Sequence, residues 1–356
     1  MELRLNQAKK TKAVKVGKLE IGGDNPIAIQ SMTTTKTHDW KSTIEQCKAL
    51  ESEKCDIIRV AIPDLKAAKA IPKIKEYIRM PLVADIHFDH NLAIESLKQG
   101  ADKIRINPGN IGSTERVAEI IEAAKKLNKA IRIGVNSGSM EDELIEKYGH
   151  PNAQAMVESA RNSIKFCENL GFTNMVISLK STEVPDAIEA YRLFSEQSDY
   201  PLHVGMTEAG TMIPGITKNA IGIGILLQEG IGDTIRVSMT EDPVDQVKTA
   251  KEILKCLHLY DKEPTIISCP TCGRTEIDVK KLSKEVTSRT SHIKKPLKIT
   301  VLGCAVNGPG EAKEADYGIA GGKQKGVIFK KGAIYKVVPE AELLDEFIRL
   351  IESENG

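Results

Sequence analysis

The chain has 356 residues, of which 41% are hydrophobic and 28% are charged. That length exceeds one typical domain of roughly 150 residues, and it excludes a disulfide-stapled miniprotein. The 50 basic and 49 acidic side chains give a net charge of +1, which excludes polyanion or nucleic-acid binding through overall charge. No apolar run reaches the roughly 18 residues of a membrane helix, so the sequence predicts a cytoplasmic protein without a membrane partner.

The first predicted element is a small hairpin. Apolar residues at Val14, Val16, Leu19 and Ile21 alternate with polar ones around a turn at Gly17. We expect this hairpin to plug the bottom of the domain that follows.

Short β-rich apolar runs then alternate with amphipathic segments eight times. The predicted strands span 27–32, 57–62, 82–87, 103–107, 131–136, 174–179, 202–206 and 234–239. Eight such units over roughly 230 residues predict an α/β fold, the (β/α)8 TIM barrel. An open doubly wound sheet is the alternative, but the polar segment 30–35 stands where that fold carries a glycine-rich nucleotide motif.

The repeat ends at a polar, proline-containing segment, 259–264. We therefore predict two domains, the hairpin with the barrel at 1–258 and a small α+β domain at 259–356. Its predicted elements are a helix at 277–290, strands at 297–302, 327–329 and 334–338, and a final helix at 340–351.

Four predicted barrel strands carry an arginine between two aliphatic residues. These are Arg59, Arg105, Arg132 and Arg236, and a fifth cation, Lys180, ends the sixth strand. Successive side chains of a strand point to opposite faces, so aliphatic residues that pack on the helices leave all four arginines inside the barrel.

Converging buried cations need negative partners. Inward carboxylates such as Asp85, Glu183 and Glu208 would form a structural ion network. A phosphorylated substrate is the other explanation, because guanidinium groups match phosphate oxygens and barrels perform chemistry at the carboxyl ends of their strands. The loops at 107–113 and 136–139 offer backbone N–H groups for such an anion.

Two histidine-containing segments are weaker signals. The alternating Asp and His residues of 85–90 suggest a divalent metal, but Asp85 is better suited to orienting a substrate or to acid–base work. His203 is expected to be a core histidine whose hydrogen bonds are satisfied.

Three cysteines of the second domain predict a metal centre. Cys269 and Cys272 share one tight turn, and Cys304 follows 32 positions later. Structural zinc needs four ligands, so His292 would have to reach the site. An iron–sulfur cluster fits better, with the carboxylate of Glu311 as a non-thiolate ligand. The remaining cysteines are expected to be small buried side chains: Cys47, Cys55, Cys167 and Cys256.

Several of these segments together resemble one enzyme family. The sequence closely resembles the compact two-domain form of the bacterial 4-hydroxy-3-methylbut-2-enyl diphosphate synthases, flavodoxin- or ferredoxin-dependent enzymes of the methylerythritol phosphate route to isoprenoids. The resemblance runs nearly end to end and rests on QSMT at 30–33, RVA at 59–61, ADIHF at 84–88, RINPGNIG at 105–112, RIGVN at 132–136, HVGMTEAG at 203–210, RVS at 236–238 and both cysteine segments.

The resemblance implies an activity and a role for each matching residue. The family opens the ring of 2-C-methyl-D-erythritol 2,4-cyclodiphosphate reductively and removes a hydroxyl as water. A 4Fe-4S cluster would be held by Cys269, Cys272, Cys304 and Glu311. The diphosphate would be held by Arg59, Arg105, Arg132, Lys180, Arg236, Asn136 and Ser238. The carbon skeleton would be oriented or protonated by Asp85, Asn107, Thr207 and Glu208.

The resemblance also implies a homodimer in which each barrel faces the cluster domain of its partner. Two other functions stay open from the residues alone. One is a barrel enzyme that transforms a phosphoester and carries a structural zinc module. The other is an iron or redox sensor without turnover.

Overall fold

The computed structural model of the chain describes residues 9–304, 310 and 312–355. The chain divides into two compact units, of which the first ends at Leu259 and the second begins at Tyr260. The boundary predicted from the sequence lies one residue earlier.

The hairpin consists of β1 (Val14–Val16) and β2 (Leu19–Ile21), which pair antiparallel around Gly17. Gly17 has a φ of +64°, the left-handed conformation that glycine adopts without strain. The buried side chains of β1 and β2 pack against the first or second residues of five barrel strands: Ala28, Ile57, Val83, Ala130 and Val176. The predicted plug at the amino-terminal end of the barrel is therefore confirmed.

Eight parallel strands form the barrel. They are β3 (Ala28–Met32), β4 (Ile57–Ala61), β5 (Leu82–Asp85), β6 (Lys103–Ile106), β7 (Ala130–Asn136), β8 (Met175–Lys180), β9 (His203–Val204) and β10 (Thr234–Ile235). The hydrogen-bonded order is β8-β7-β6-β5-β4-β3-β10-β9, and a parallel bridge between Ile177 and Leu202 brings its two ends together. The predicted TIM barrel is confirmed, and the open sheet is wrong.

Helices follow the strands and surround them. In the first unit they are α1 (Trp40–Ser52), α2 (Leu65–Tyr77), α3 (His90–Lys98), α4 (Pro108–Ile111), α5 (Thr114–Lys126), α6 (Asp142–Tyr148), α7 (Ala153–Asn169), α8 (Val184–Gln197), α9 (Met212–Gln228) and α10 (Pro243–Cys256). Among the helices that the structure describes, none combines the length and the apolar character that crossing a bilayer requires.

The last two barrel strands are shorter than predicted. Both β9 and β10 have two residues, whereas the sequence predicted strands at 202–206 and 234–239. Asn219 on α9 explains the difference, because its amide accepts from the backbone N–H of Met206 and Ser238 at 3.4 and 3.3 Å and donates to Ser238 O at 2.9 Å. A side chain thus takes the hydrogen bonds that a longer strand would make to its neighbour.

The second unit is a five-stranded sheet with two helices. Its elements are β11 (Thr265–Ser268), α11 (Val279–Thr290), β12 (Lys298–Leu302), β13 (Tyr317–Gly322), β14 (Lys325–Lys330), β15 (Ala333–Pro339) and α12 (Glu340–Asn355). Strands β11, β12 and β13 are parallel, and β14 and β15 continue the sheet antiparallel. The sequence did not predict β11, which is short and half-exposed, or β13, whose sequence is half glycine.

The hairpin plug yields a stability prediction. Ile21 is fully buried on β2, whereas its neighbour Glu20 is exposed. Ile21→Ala leaves a cavity at the barrel floor, and we expect it to lower the free energy of unfolding by about 2–4 kcal/mol. Urea titration followed by the fluorescence of Trp40, the single tryptophan, reads the barrel unit selectively. With Glu20→Ala as the control, equal midpoints for the two variants would contradict the plug.

Candidate active site

The four arginines line the interior of the barrel. Arg59, Arg105 and Arg132 are 8%, 3% and 2% exposed, and Arg236 is half-buried. The aliphatic residues on both sides of each arginine are at most 1% exposed, as alternation along a strand requires. Burial, and then the charges of Arg59 and Arg105, lower the pKa of Arg132 well below its ordinary value. The guanidinium groups therefore lie close enough to repel one another.

One buried carboxylate faces these cations. Asp85 Oδ1 lies 3.6 Å from Arg105 Nη1, and Asp85 Oδ2 lies 3.3 Å from His87 Nε2. Burial raises the pKa of Asp85, but Arg59, the hydrogen bond from His87 and Arg105 outweigh it and hold this pKa well below its ordinary value. Asp85 is consequently ionised at neutral pH.

The predicted structural ion network is wrong for two of its three carboxylates, since only Asp85 faces the arginines. Glu183 and Glu208, proposed as neutralising carboxylates, are both exposed, and neither forms an ion pair within the described residues. The other buried carboxylate of the described chain, Asp102, lies outside the barrel interior between Lys75 Nζ at 2.7 Å and Lys129 Nζ at 3.6 Å. The interior thus holds more buried positive charge than negative charge.

Several of these cations also lack hydrogen-bond acceptors. In the part of the chain that the structure describes, Arg132 Nε and Nη1, Arg105 Nε and Arg236 Nε have no partner. Burial, followed by the neighbouring Arg132 and Arg236, lowers the pKa of Lys180 well below its ordinary value. Buried donors without acceptors cost free energy, which an anion entering the barrel would recover.

Polar side chains lie around the same cations. With its amide oxygen turned toward Arg105, Asn136 accepts from Arg105 Nη2 at 3.0 Å, and Ser238 Oγ accepts from Arg236 Nη1 at 3.2 Å. Asn107 Nδ2 donates to Ser139 Oγ at 3.0 Å. Thr207 is half-buried beside the exposed Glu208, whose φ of +49° is left-handed. Loops after β6, β7, β9 and β10 thus supply neutral donors and one further carboxylate.

Two glycines make room for the charged side chains. A Cβ at Gly134 would lie 2.5 Å from Arg105 Nε. A Cβ at Gly205 would lie 2.9 Å from Lys180 Nζ and 2.2 Å from Arg236 O. Any larger residue at either position would displace a cation or the backbone that carries one.

Three further residues that the sequence did not assign to the site lie in the interior or at its rim. Lys103 is fully buried on β6, and its Nζ has no partner among the described residues. His203 was expected to be satisfied, which is wrong, because neither ring nitrogen has a hydrogen-bond partner in the described chain. His87 contacts Asp85. Alternation along a strand could have identified two of them. Lys103 lies two positions before Arg105 and His87 lies two positions after Asp85, so each shares a strand face with a residue expected inside the barrel.

The three cysteines of the second unit lie at one edge of its sheet. Strands β11 and β12 are parallel, with Ser268 beside Val301, so Cys269 and Cys304 both follow the carboxyl ends of neighbouring strands. Cys269 Sγ accepts from the backbone N–H of Gly303 at 3.2 Å. Cys272 is exposed on the same loop as Cys269, and all three are free thiols.

The donor set fits a cluster better than a single ion. Within the described residues, no three His, Cys, Asp or Glu side chains converge on one metal ion. Thiolates that hold a four-iron cluster each bind a different iron, so they need not converge. His292 follows α11 and is exposed at the opposite edge of the sheet, which argues against zinc. The fourth predicted ligand, Glu311, lies outside the described residues.

The remaining cysteines divide into two kinds. Burial raises the pKa of Cys47, Cys55 and Cys167 to about 12, so each stays a protonated thiol that neither ligates a metal nor reacts. Cys256 was also expected to be buried, which is wrong. It ends α10 as an exposed residue, because the amphipathic stripe of that helix turns Cys256 away from the barrel.

The unbalanced charge yields a prediction for the ligand-free protein. Arg132→Leu removes a buried cation that is repelled by two others, and we expect it to raise the free energy of unfolding of the barrel by about 1–3 kcal/mol. Arg79→Leu, at an exposed arginine, is the control. Urea titration followed by Trp40 fluorescence checks both variants. If Arg132→Leu instead lowers the free energy of unfolding, the charge of Arg132 is already balanced by protein groups, and the prediction is wrong.

Solved structures with other functions share the barrel. A dihydropteroate synthase from Yersinia pestis, solved with a sulfonamide drug, matches 70% of this chain and 100% of its own, with a TM-score of 0.51 and 10% identity. A 3-dehydroquinate dehydratase from Geobacillus kaustophilus matches 70% of this chain and 98% of its own, with a TM-score of 0.50 and 15% identity. At such identities the likeness shows the fold alone.

Closer similarity extends over the whole chain. A protein from Caldanaerobacter subterraneus subsp. tengcongensis named 4-hydroxy-3-methylbut-2-en-1-yl diphosphate synthase (flavodoxin) is 60% identical over 348 residues, 98% of each chain. A protein of the same name from Fusobacterium nucleatum is 55% identical over 97% of each chain. Family models match as well, the GcpE TIM-barrel domain at residues 11–251 and the GcpE protein C-terminal domain at 265–353. The chain therefore belongs to the GcpE family.

Proposed function

We propose that this chain is a 4-hydroxy-3-methylbut-2-enyl diphosphate synthase, an oxidoreductase of the methylerythritol phosphate pathway. It opens the ring of 2-C-methyl-D-erythritol 2,4-cyclodiphosphate and releases water. Two electrons and two protons are consumed as one ring C–O bond breaks and one hydroxyl leaves. The observation that carries the proposal is the excess of buried positive charge inside the barrel.

The barrel cations match this substrate. A cyclic diphosphate brings two negative charges, which Arg59, Arg105, Arg132, Lys180 and Arg236 bind together with the polar groups of Asn136 and Ser238. Guanidinium forks hold phosphate oxygens in a fixed geometry, so the ring is oriented as well as bound. The unpartnered donors of Arg132 support this assignment.

The carboxylates at the barrel mouth take different roles. Asp85 is ionised and held by Arg105 and His87, so it orients the carbon skeleton by accepting hydrogen bonds and does not act as the acid. Glu208 is exposed on a loop and is free to carry a proton from solvent to the leaving hydroxyl. Asn107 and Thr207 position the substrate between these two carboxylates.

Membership of the GcpE family implies an iron–sulfur cofactor, and we assign a 4Fe-4S cluster. Cys269, Cys272, Cys304 and Glu311 would hold it, with the carboxylate as the exchangeable ligand. When bound, such a cluster supplies one-electron transfer and a Lewis-acidic iron. The nearness of Cys269 Sγ to the residue before Cys304 supports this ligand set.

The electron donor is flavodoxin or ferredoxin, since the names of the relatives include flavodoxin. The cations belong to one unit and the cysteines to the other, so turnover needs both units. We propose a homodimer in which each barrel faces the cluster domain of its partner, and closure around the substrate excludes water. The cytoplasmic location stays a prediction.

The ligand assignment predicts a difference between two cysteine variants. Cys304→Ser removes a cluster thiolate, whereas Cys256→Ser alters an exposed cysteine of the other unit. After anaerobic purification, we expect Cys304→Ser to lose most of its iron and acid-labile sulfide, and Cys256→Ser to keep both. Metal analysis and the visible spectrum measure this.

Activity of the same samples decides between the functions. Reductant-dependent consumption of the cyclic diphosphate by the Cys256→Ser protein, and none by Cys304→Ser, is the expected result. A colourless, zinc-loaded protein that still turns over substrate would favour the phosphoester enzyme with a structural zinc module. A brown protein without turnover would favour the sensor.

Glu311 yields a separate prediction. Glu311→Gln keeps an oxygen donor of the same length but removes the charge, so we expect most of the iron to be retained while turnover falls at least about 100-fold. Iron content and reductant-dependent turnover are measured on one preparation, with Glu314→Gln, an exposed position, as the control. Full turnover in Glu311→Gln would remove the residue from the ligand set.

A further inference from the structure

The barrel floor contains a lysine among apolar neighbours. Lys103 is fully buried on β6, where it pairs in register with Val83 and Ala130, two of the residues that pack on the amino-terminal hairpin. Its Nζ has no hydrogen-bond partner among the described residues. A charged ammonium group in such a place is strongly unfavourable.

A histidine of the same interior is also unpartnered. His203 is fully buried on β9, in register with Thr234, and both ring nitrogens lack a partner within the described residues. Its backbone carbonyl accepts a hydrogen bond from the hydroxyl of Tyr191 on α8 at 2.7 Å, which fixes the strand backbone at this position. Two basic groups are thus held where neither has an acceptor within the described part of the chain.

The groups that face Lys103 and His203 are cationic. Arg59 on β4 and Arg132 on β7 act on both, and Lys180 on β8 acts on His203. Asp85 on β5 is the one buried carboxylate of this interior among the described residues, and it is engaged by Arg105 and His87. Burial first, and then Arg132, lower the pKa of both groups well below their ordinary values. Burial without an acceptor among the described residues therefore favours the uncharged form of both groups when no anion is bound.

The proposed substrate changes this balance. Each phosphorus of a cyclic diphosphate carries a single, strongly acidic ionisable oxygen. The ligand therefore arrives with two fixed negative charges and exchanges no proton of its own near neutral pH. Those charges cancel the repulsion that the arginines exert, so a protonated neighbour becomes favourable again.

We propose that Lys103 and His203 form a buried proton-accepting floor that takes up a proton when the cyclic diphosphate binds above it. This inference rests on the proposed function. The two residues act as positioning residues, since they complete the positive charge around the ligand from beneath the arginines. They add binding energy without contacting the reacting carbons.

Linkage fixes the direction of the effect. If binding takes up protons, raising the pH opposes binding, and Kd increases by up to about tenfold per pH unit for one proton. This pH dependence of Kd is expected in the pH range between two pKa values, that of the floor in the free protein and that of the floor in the substrate-bound protein. A floor that is only structural would leave Kd independent of pH in that range.

The experiment is calorimetry on the cluster-loaded, oxidised protein without reductant, so that the substrate binds but does not react. Titrations at one pH in buffers of different ionisation enthalpy give the number of protons taken up. We expect about 0.5–1 proton for the unaltered chain. Lys103→Met, which is apolar and similar in length, and His203→Gln should each lower this number, and the double variant should abolish it.

Lys129→Met is the matched control. Lys129 precedes β7 at the same end of the barrel, is partly exposed and lies 3.6 Å from Asp102, so its removal should leave proton uptake unchanged. Far-ultraviolet circular dichroism and Trp40 fluorescence confirm that each variant is folded. In the steady state, Lys103→Met should raise KM about three- to tenfold while kcat changes little.

Four outcomes would overturn the inference. If the substrate binds the unaltered chain without proton uptake, the inference is wrong and the proposed function still stands. Uptake that persists in the double variant would assign the proton elsewhere. If a floor variant fails to fold, the pH dependence of Kd for the unaltered chain decides, and a flat profile is the contrary result. Absence of any binding would reject the proposed function and the inference together.

Discussion

The central constraint in this molecule is the surplus of buried positive charge inside a closed barrel. Arg132 is almost fully buried, because it lies on a strand between two aliphatic residues that pack outward, and its Nε and Nη1 have no partner in the described chain. Asp85 balances part of the charge and is itself tied to Arg105. Holding these cations together costs electrostatic free energy, and a doubly charged ligand would offset that cost. Stability given up at a binding site for affinity is a common compromise in enzymes.

The two units divide the chemistry between hard and soft groups. The barrel offers guanidinium, ammonium, amide and hydroxyl donors, which suit phosphate oxygens. The second unit offers partly exposed thiols on neighbouring strand ends, which suit iron and sulfide. Burial separates the ligand cysteines from the others, since it raises the pKa of Cys47, Cys55 and Cys167 to about 12 and keeps these thiols inert. Position in the fold thus decides which cysteines can act as ligands.

Much of this architecture is predictable from the sequence, for identifiable reasons. The eight alternating strand and helix units predict the barrel. An arginine between two aliphatic residues indicates a strand that is buried on both faces, so period-two alternation predicts that the arginines point inward. The short length of β9 and β10 could not be predicted in this way, because Asn219, which is distant in sequence, makes the hydrogen bonds that longer strands would make to each other. The exposure of Glu208 depends on loop geometry, and the unpartnered state of His203 depends on what its neighbours lack. Neither property has a local signature.

The most direct test of the account is a crystal structure of the cluster-loaded chain with the cyclic diphosphate, grown without reductant. We expect both phosphates to lie inside the barrel, with oxygen atoms within hydrogen-bond distance of Arg59, Arg132 and Lys180. We also expect phosphate to bind the donors of Arg132 that have no protein acceptor in the described chain. Phosphates held outside the barrel, with those donors still unpartnered, would contradict it.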